Sequence, residues 1–242
     1  MSAALQVEKV QVMRGATHAV RDVTLDAAAR GWFGLIGANG SGKTSLLRAI
    51  AGRLQAERGR IWIGDTDVSD DRAARARAVG YAPDPAMLPE ALTARAILTL
   101  AGGDIDAALA GLGPLAPALE IPRLIDLAIG ACSAGMRQRI AIACAFARPT
   151  AITILDEPFN WLDPLTAYDL RCALREKVDG GHTLVTALHD LTTLAGSCDA
   201  GALLAEGRVA FAISGDAIAA ARADPLAFER ATIEHLRSER TH

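Results

Sequence analysis

The fold is decided by a glycine-rich stretch that reads Gly37-Ala38-Asn39-Gly40-Ser41-Gly42-Lys43-Thr44. It has the spacing G-x-x-x-x-G-K-S/T and stands between an apolar run, Gly31–Ile36, and a helical pattern, Ser45–Leu54. Small residues let consecutive backbone N–H groups surround phosphate oxygens, and the helix directs its positive N-terminus at the same anion. The motif therefore predicts a phosphate-binding loop, with a glycine-rich turn that only resembles one as the alternative.

Each position of this loop has an expected task. Lys43 would reach the β- and γ-phosphates of a nucleotide, the Thr44 hydroxyl would bind Mg²⁺, and Ser45 would cap the same turn. The remaining phosphate contacts are expected from the loop itself, at Gly37, Ala38, Asn39, Gly40, Ser41 and Gly42.

A second polar cluster ends the apolar strand pattern Ile152–Leu155, where Asp156 and Glu157 precede Pro158. The strand end would place Asp156 beside the phosphate loop, where it would hold the Mg²⁺ shell through water. Glu157 projects differently and would orient and deprotonate the attacking water as a general base. Adjacent carboxylates repel unless a cation lies between them, and a metal–nucleotide complex supplies one. The alternative is a helix N-cap with ordinary solvent-facing acids.

Strand and helix patterns alternate along the chain of 242 residues, which predicts an α/β fold around a mainly parallel sheet. Two alternating strands, Leu5–Val12 and Ala19–Asp26, predict an N-terminal antiparallel β subdomain. From Asp84 to Ala147 the sequence is rich in Ala and Leu at helical spacing, which predicts an inserted helical lobe. We expect one domain with a core of residues 1–83 and 148–215, a helical lobe of residues 84–147 and a helical tail of residues 216–242.

Composition limits the kind of protein that this chain can be. Apolar residues make up 51% of it and the net charge is −3, so a core can form and no general basic field for nucleic acid exists. No stretch has the roughly 20 apolar residues of a membrane span, and the N-terminus lacks a signal-peptide core. We therefore expect a cytosolic protein. The cysteines form no C-x-x-C pair and are expected to be reduced thiols; they are Cys132, Cys144, Cys172 and Cys198.

Three further segments carry a family resemblance. They read Cys132-Ser133-Ala134-Gly135-Met136-Arg137-Gln138-Arg139, Asn160-Trp161-Leu162-Asp163 and Ala187-Leu188-His189-Asp190. In this order they resemble the signature, the D-loop and the switch histidine of the ATP-binding-cassette (ABC) nucleotide-binding domain. The resemblance covers nearly the whole chain and implies the ABC cassette fold, a P-loop nucleotide-hydrolase architecture.

The resemblance implies an Mg²⁺-dependent ATPase that works as a head-to-tail pair. ATP would lie between the P-loop of one subunit and Ser133, Ala134 and Gly135 of the other, with Asp163 among the nucleotide-binding residues. Ser133 stands at the start of a helical run and offers a hydroxyl, N–H groups and a helix dipole to a γ-phosphate. His189 would contact the γ-phosphate and the attacking water, although a lone histidine at a strand end is often structural.

Five positions depart from the family pattern. Ala134 and Met136 replace the first glycine and the glutamine of the signature, in a form similar to exporter-type (ABC-2-type) proteins. Asp84 stands where the Q-loop glutamine is usual and would approach Mg²⁺ or water, or would simply begin the turn before Pro85. Arg14 falls where an aromatic residue usually stacks on adenine, and its guanidinium plane would pack there instead. Trp161 would lie at the subunit interface or in an ordinary core or surface groove.

The leading function is therefore the ATP-hydrolysing subunit of an ABC transporter. Its partners would be polytopic membrane permease subunits, which hold it at the inner face of the membrane, and a second copy or a paired second ABC subunit. No nucleic acid is expected. The alternatives are a soluble ABC ATPase acting on nucleic acid or ribosomes, and a weakly hydrolysing regulatory module. The tail, with Leu226, Phe228, Ile233 and Leu236, is expected to pack on the domain or on its twin.

Overall fold

The computed structural model describes residues 3–228 and 230. In this part of the chain the strands are β1 (Ala3–Arg14), β2 (Thr17–Ala28), β3 (Trp32–Ile36), β4 (Arg58–Ile63), β5 (Thr66–Asp67), β6 (Val79–Tyr81), β7 (Ile152–Asp156), β8 (Thr183–Leu188), β9 (Ala200–Ala205) and β10 (Arg208–Ile213). The helices are α1 (Lys43–Ile50), α2 (Arg72–Ala78), α3 (Ala94–Gly102), α4 (Ile105–Leu112), α5 (Leu115–Ala118), α6 (Ile121–Leu124), α7 (Ala134–Phe146), α8 (Pro164–Asp179), α9 (Leu191–Ser197) and α10 (Gly215–Ala223).

Two sheets organise the molecule. The antiparallel sheet has the order β2-β1-β4-β5, and the larger sheet has the order β10-β9-β3-β8-β7-β6. Within the larger sheet, neighbouring strands from β9 to β6 pair in parallel, and β10 joins β9 as an antiparallel hairpin. The predicted parallel core with an N-terminal antiparallel subdomain is confirmed.

Parallel register brings the two predicted motifs to one edge of the sheet. Ile36, the last residue of β3, pairs with Leu188 of β8, and Asp156, the last residue of β7, pairs with Ala187. The loops after these strands therefore leave the sheet side by side, as expected at the carboxyl ends of a parallel sheet. β3 and β8 are buried at every position, because both faces of this sheet are covered.

The helices α3 to α7 lie within the segment predicted as a helical lobe. A small apolar cluster fills the lobe, and α7 contributes to it through Ile140 and Ala141. Further along the same helix, Ile142 and Phe146 belong to the core under the sheet. Helix α7 thus joins the lobe to the core, and its position affects both.

Some details differ from the sequence predictions. Helix α1 begins at Lys43 rather than Ser45, and its N-cap is Gly42 in the left-handed conformation, without a side-chain cap. Ser45 therefore lies inside the helix and does not cap it. In the tail, Phe228 packs against the core and Leu226 is exposed. The expectations for Ile233 and Leu236 lie outside the described residues.

The described helices include none that is both long enough and apolar enough to cross a bilayer.

Candidate nucleotide site

The phosphate loop is shaped by close backbone approaches. A Cβ at Gly42 would lie 2.3 Å from the carbonyl oxygen of Ala19, and one at Gly37 would lie 2.3 Å from that of Leu204. Gly42 also has φ +104, a conformation that residues with a side chain rarely adopt. Glycine is therefore required at both positions to seat the loop against the neighbouring strands.

Lys43 is buried at the base of this loop. Its Nζ donates to the carbonyl oxygens of Gly37 at 2.6 Å and Ala38 at 3.3 Å. Burial lowers the pKa of Lys43, and the nearby carboxylates of Glu157 and Asp156 oppose that change. The ammonium group is thus confined where the loop turns around the predicted phosphates.

Two buried polar atoms test whether a triphosphate and a cation would fit here. Ser41 Oγ and Asp156 Oδ1 are buried and have no hydrogen-bond partner among the described residues. Such groups cost free energy unless a ligand or water satisfies them. One is a hydroxyl on the loop and the other is a carboxylate oxygen beside it, so both suit a phosphate and its metal ion.

The candidate metal ligands Thr44, Asp156 and Asp84 line one cavity of about 570 Å³. Burial raises the pKa of Asp156, Glu157 raises it further, and a hydrogen bond from Thr44 acts in the opposite direction. Asp84 accepts the Ala86 N–H at 3.0 Å, so it does form the turn considered above. Its binding to a metal ion stays a prediction.

Glu157 forms a polar cluster with two neighbours. Its Oε2 lies 2.7 Å from His189 Nε2 and accepts a hydrogen bond from Asn160 Nδ2 at 3.0 Å. The imidazole must carry its proton on Nε2 to donate to this carboxylate. The structure therefore brings together the predicted base and the predicted switch histidine, next to Asp156.

The signature segment begins α7. The Ser133 hydroxyl accepts the Met136 N–H at 3.3 Å, and both Ser133 and Ala134 are exposed. A Cβ at Gly135 would lie 2.6 Å from the carbonyl oxygen of Trp161. Only glycine allows α7 to approach the loop after β7 this closely, so the retained glycine has a packing reason within its own chain.

Asp163 caps α8, where it accepts the N–H groups of Leu165 at 3.1 Å and Thr166 at 3.0 Å. It also lies 3.7 Å from the Arg139 guanidinium. Before it, Trp161 has φ +66 and a side chain that is 76% exposed. Trp161 lines the same cavity as Thr44 and Asp156, and its side chain stays largely exposed there.

Arg14 ends β1 and pairs with Thr17 across the hairpin. Further along β2, the backbone of Ala19 contacts the phosphate loop at Gly42. Arg14 therefore lies at the hairpin end that approaches the loop, and its contact with adenine stays a prediction.

Sequence reasoning assigned no role to three residues of the site. Gln138 donates to the carbonyl oxygens of Glu157 and Pro158, Asn160 contacts Glu157, and Arg48 lines the cavity with Thr44. Arg48 could have been found, since it lies four residues after Thr44 on one helix face. The contact of Gln138 joins distant segments and leaves no local signal.

A glycine loop before a helix, a buried lysine and an acidic strand end with a glutamate–histidine pair define the class of P-loop nucleoside triphosphatases.

Comparisons with known proteins narrow this class. A family model described as "ABC transporter" matches residues 20–160, more than half of the chain. The sulfate/thiosulfate import ATP-binding protein of Synechococcus elongatus is 35% identical over 191 residues, which cover 77% of this chain and 55% of that protein. The phosphonates import ATP-binding protein of Ruegeria pomeroyi is 33% identical over 226 residues, covering 86% and 82%. The chain belongs to the ABC transporter family, as an ATP-binding cassette.

Solved structures of ATP-binding cassettes have the same fold as this chain. The structure of an ATP-binding subunit of an ABC transporter has a TM-score of 0.82 at 28% identity, covering 96% of this chain and 99% of that chain. A dimeric cassette bound to ADP and phosphate has a TM-score of 0.76 at 22% identity and supports the fold alone. The chain spans little more than half the length of the sulfate/thiosulfate relatives.

Proposed function

We propose that this chain is the ATP-hydrolysing subunit of an ABC transporter whose permease is a separate membrane protein. The observation that carries the proposal is the 2.7 Å contact between Glu157 and His189, beside the buried Lys43 and the half-buried Asp156. A cassette that only bound nucleotide would not need a base and a proton-bearing partner at this place.

Each residue has a task in the proposed reaction. Lys43 and the loop backbone bind the phosphates and hold them in line with the attacking water. Thr44 and Asp156 would hold Mg²⁺, which supplies neutralisation of phosphate charge when bound. Asp84 is proposed to assist from across the cavity.

Glu157 accepts the proton of the attacking water at its carboxylate, and His189 Nε2 orients that carboxylate by donating to it. Ser133 and Gly135 of a second subunit would complete the site, with Asp163 next to it, because Ser133 is exposed at the start of α7. The second subunit is either another copy or a paired ABC subunit.

The partner and the direction of transport are proposed from resemblance. Several relatives are named as import ATP-binding proteins, which supports a permease partner and a place at the inner face of the membrane. The signature with Met136 predicts an exporter-type subunit, and this stays a prediction because the named relatives are import subunits. Copurification with a polytopic membrane protein would favour transport over action on ribosomes or nucleic acid.

The test is Glu157→Gln in the purified chain. Loss of the base should slow ATP turnover by about 10²–10⁴-fold, while ATP binding should persist because Lys43 and the loop are unchanged. Steady-state hydrolysis and the affinity for a fluorescent ATP analogue would be measured together. Turnover near the wild-type rate would show that Glu157 is not the base. Loss of ATP binding would show that the substitution disturbs the nucleotide site as a whole.

A further inference from the structure

The peptide of Glu157 is held in an unfavourable conformation. Its φ is +54, in the left-handed region, which costs free energy for a residue with a side chain. Such a backbone persists only where its surroundings fix it. Here the Glu157 N–H donates to the Ala187 carbonyl oxygen at 3.2 Å, so β8 holds one side of the residue.

The other side is held by Gln138. Its Nε2 donates to the Pro158 carbonyl oxygen at 3.2 Å and lies 3.4 Å from the Glu157 carbonyl oxygen. Gln138 is only 6% exposed and Pro158 is buried, so the contact between them is largely shielded from water. A buried amide that meets two consecutive carbonyl groups fixes the direction in which the chain leaves β7.

Gln138 stands on the helix that begins at Ser133. The same helix approaches the loop after β7 at two further positions. Gly135 packs against the Trp161 carbonyl group, and Arg139 lies near Asp163. Helix α7 and the segment 157–163 are therefore packed as one unit. A shift of the Ser133 end would act on the Glu157 peptide through Gln138.

We propose that Gln138 is a positioning residue for the reaction, which holds the Glu157 peptide so that its carboxylate faces the attacking water. This inference rests on the proposed function, with Glu157 as base. It has a further consequence: binding of Ser133 to the nucleotide of one site sets the position of the base in the other site of the pair.

The experiment compares Gln138→Leu with wild type. Leucine fills a similar volume and cannot donate a hydrogen bond. We expect kcat to fall by about tenfold, the loss typical of a buried hydrogen bond to the backbone, while the affinity for ATP changes by less than about twofold. The kcat of Gln138→Glu should fall further, because this variant places acceptors against both carbonyl oxygens. Ile142→Val, a buried change on α7 that touches neither carbonyl, is the control and should keep kcat.

A double-mutant cycle separates positioning from general destabilisation. In the Glu157→Gln background, single-turnover hydrolysis should no longer respond to Gln138→Leu, because the group that Gln138 positions is already gone. Equal losses in both backgrounds, or an unchanged kcat in soluble, folded Gln138→Leu and Gln138→Glu, would overturn the inference. A Glu157→Gln chain with full activity would instead refute the proposed function, so the two failures are distinguishable.

Discussion

At the scale of single residues, the ionised side chain of Asp156 lowers the stability of the folded protein. Its pKa is raised above the ordinary value of 3.8, chiefly by burial, so the folded protein holds this proton more tightly than the unfolded chain does. The contribution to stability is therefore full below the unfolded pKa and is lost as pH rises through the folded pKa. At neutral pH the buried carboxylate is a cost that the native state carries.

Asp156→Asn should raise the melting temperature of the nucleotide-free protein at pH 7 by about 2–4 °C, the shift that ~1 kcal/mol produces in a domain of this size. The difference in melting temperature between the variant and the wild type should narrow as pH falls towards 4, because the wild-type carboxyl then takes up its proton. Calorimetry across this pH range measures that difference. Asp169→Asn, at an exposed position of α8, is the matched control. A gap that does not vary with pH would contradict the titration argument.

Local sequence patterns predict some residues of the site and cannot predict others. Lys43, Thr44, Asp156 and Glu157 were assigned from local patterns, because each follows a strand end that its own neighbours predict. Gln138 lies within the signature, but its acceptors on Glu157 and Pro158 lie 19 and 20 residues away, so no local pattern predicts its role. Contacts of that kind follow from packing, which a single sequence does not specify.

At the scale of secondary-structure elements, the position of α7 depends on one small residue in β6. A Cβ at Gly80 would lie 2.2 Å from the carbonyl oxygen of Ala145, and this nearest atom is backbone, which cannot move aside as a flexible side chain can. Gly80→Ala should therefore push α7 from the sheet and destabilise the protein by about 1–3 kcal/mol, the usual cost of overpacking. Urea denaturation measures this loss.

Gly196→Ala is the matched control for that prediction. Gly196 lies in α9, and an added Cβ would meet nothing within 4 Å, so the substitution should stabilise by up to about 1 kcal/mol through helix propensity. If both variants lose stability equally, the close approach of β6 to α7 is not what fixes the helix.

Element boundaries were predicted well where an apolar pattern was clear and less well where backbone geometry decides. The run Ala134–Phe146 is a helix as predicted, with Ser133 as its cap. Helix α1 begins earlier than expected, because the left-handed Gly42 lets the chain enter the helix directly from the loop.

At the scale of the whole molecule, three large apolar side chains are exposed on the segment that follows the catalytic loop. Trp161, Leu165 and Tyr168 are exposed. Trp161 lies in the loop before α8, and Leu165 and Tyr168 are three residues apart on one face of that helix. Exposed apolar patches mark interaction sites. Trp161 lines the cavity that also contains Glu157, where the proposed second subunit would close over the nucleotide.

Tryptophan fluorescence offers a direct test of that arrangement. Trp32 is 1% exposed, Trp62 is half-buried beside Arg60, and Trp161 is 76% exposed. ATP with Mg²⁺ should pair two copies of Glu157→Gln and protect Trp161, so that acrylamide quenches its emission several-fold less than in the monomer, since interface cores exclude water. Trp161→Phe in that background should abolish the change, whereas Trp62→Phe should preserve it. Light scattering would establish the mass in each sample, and a doubled mass with unaltered quenching would place Trp161 outside the contact between the copies.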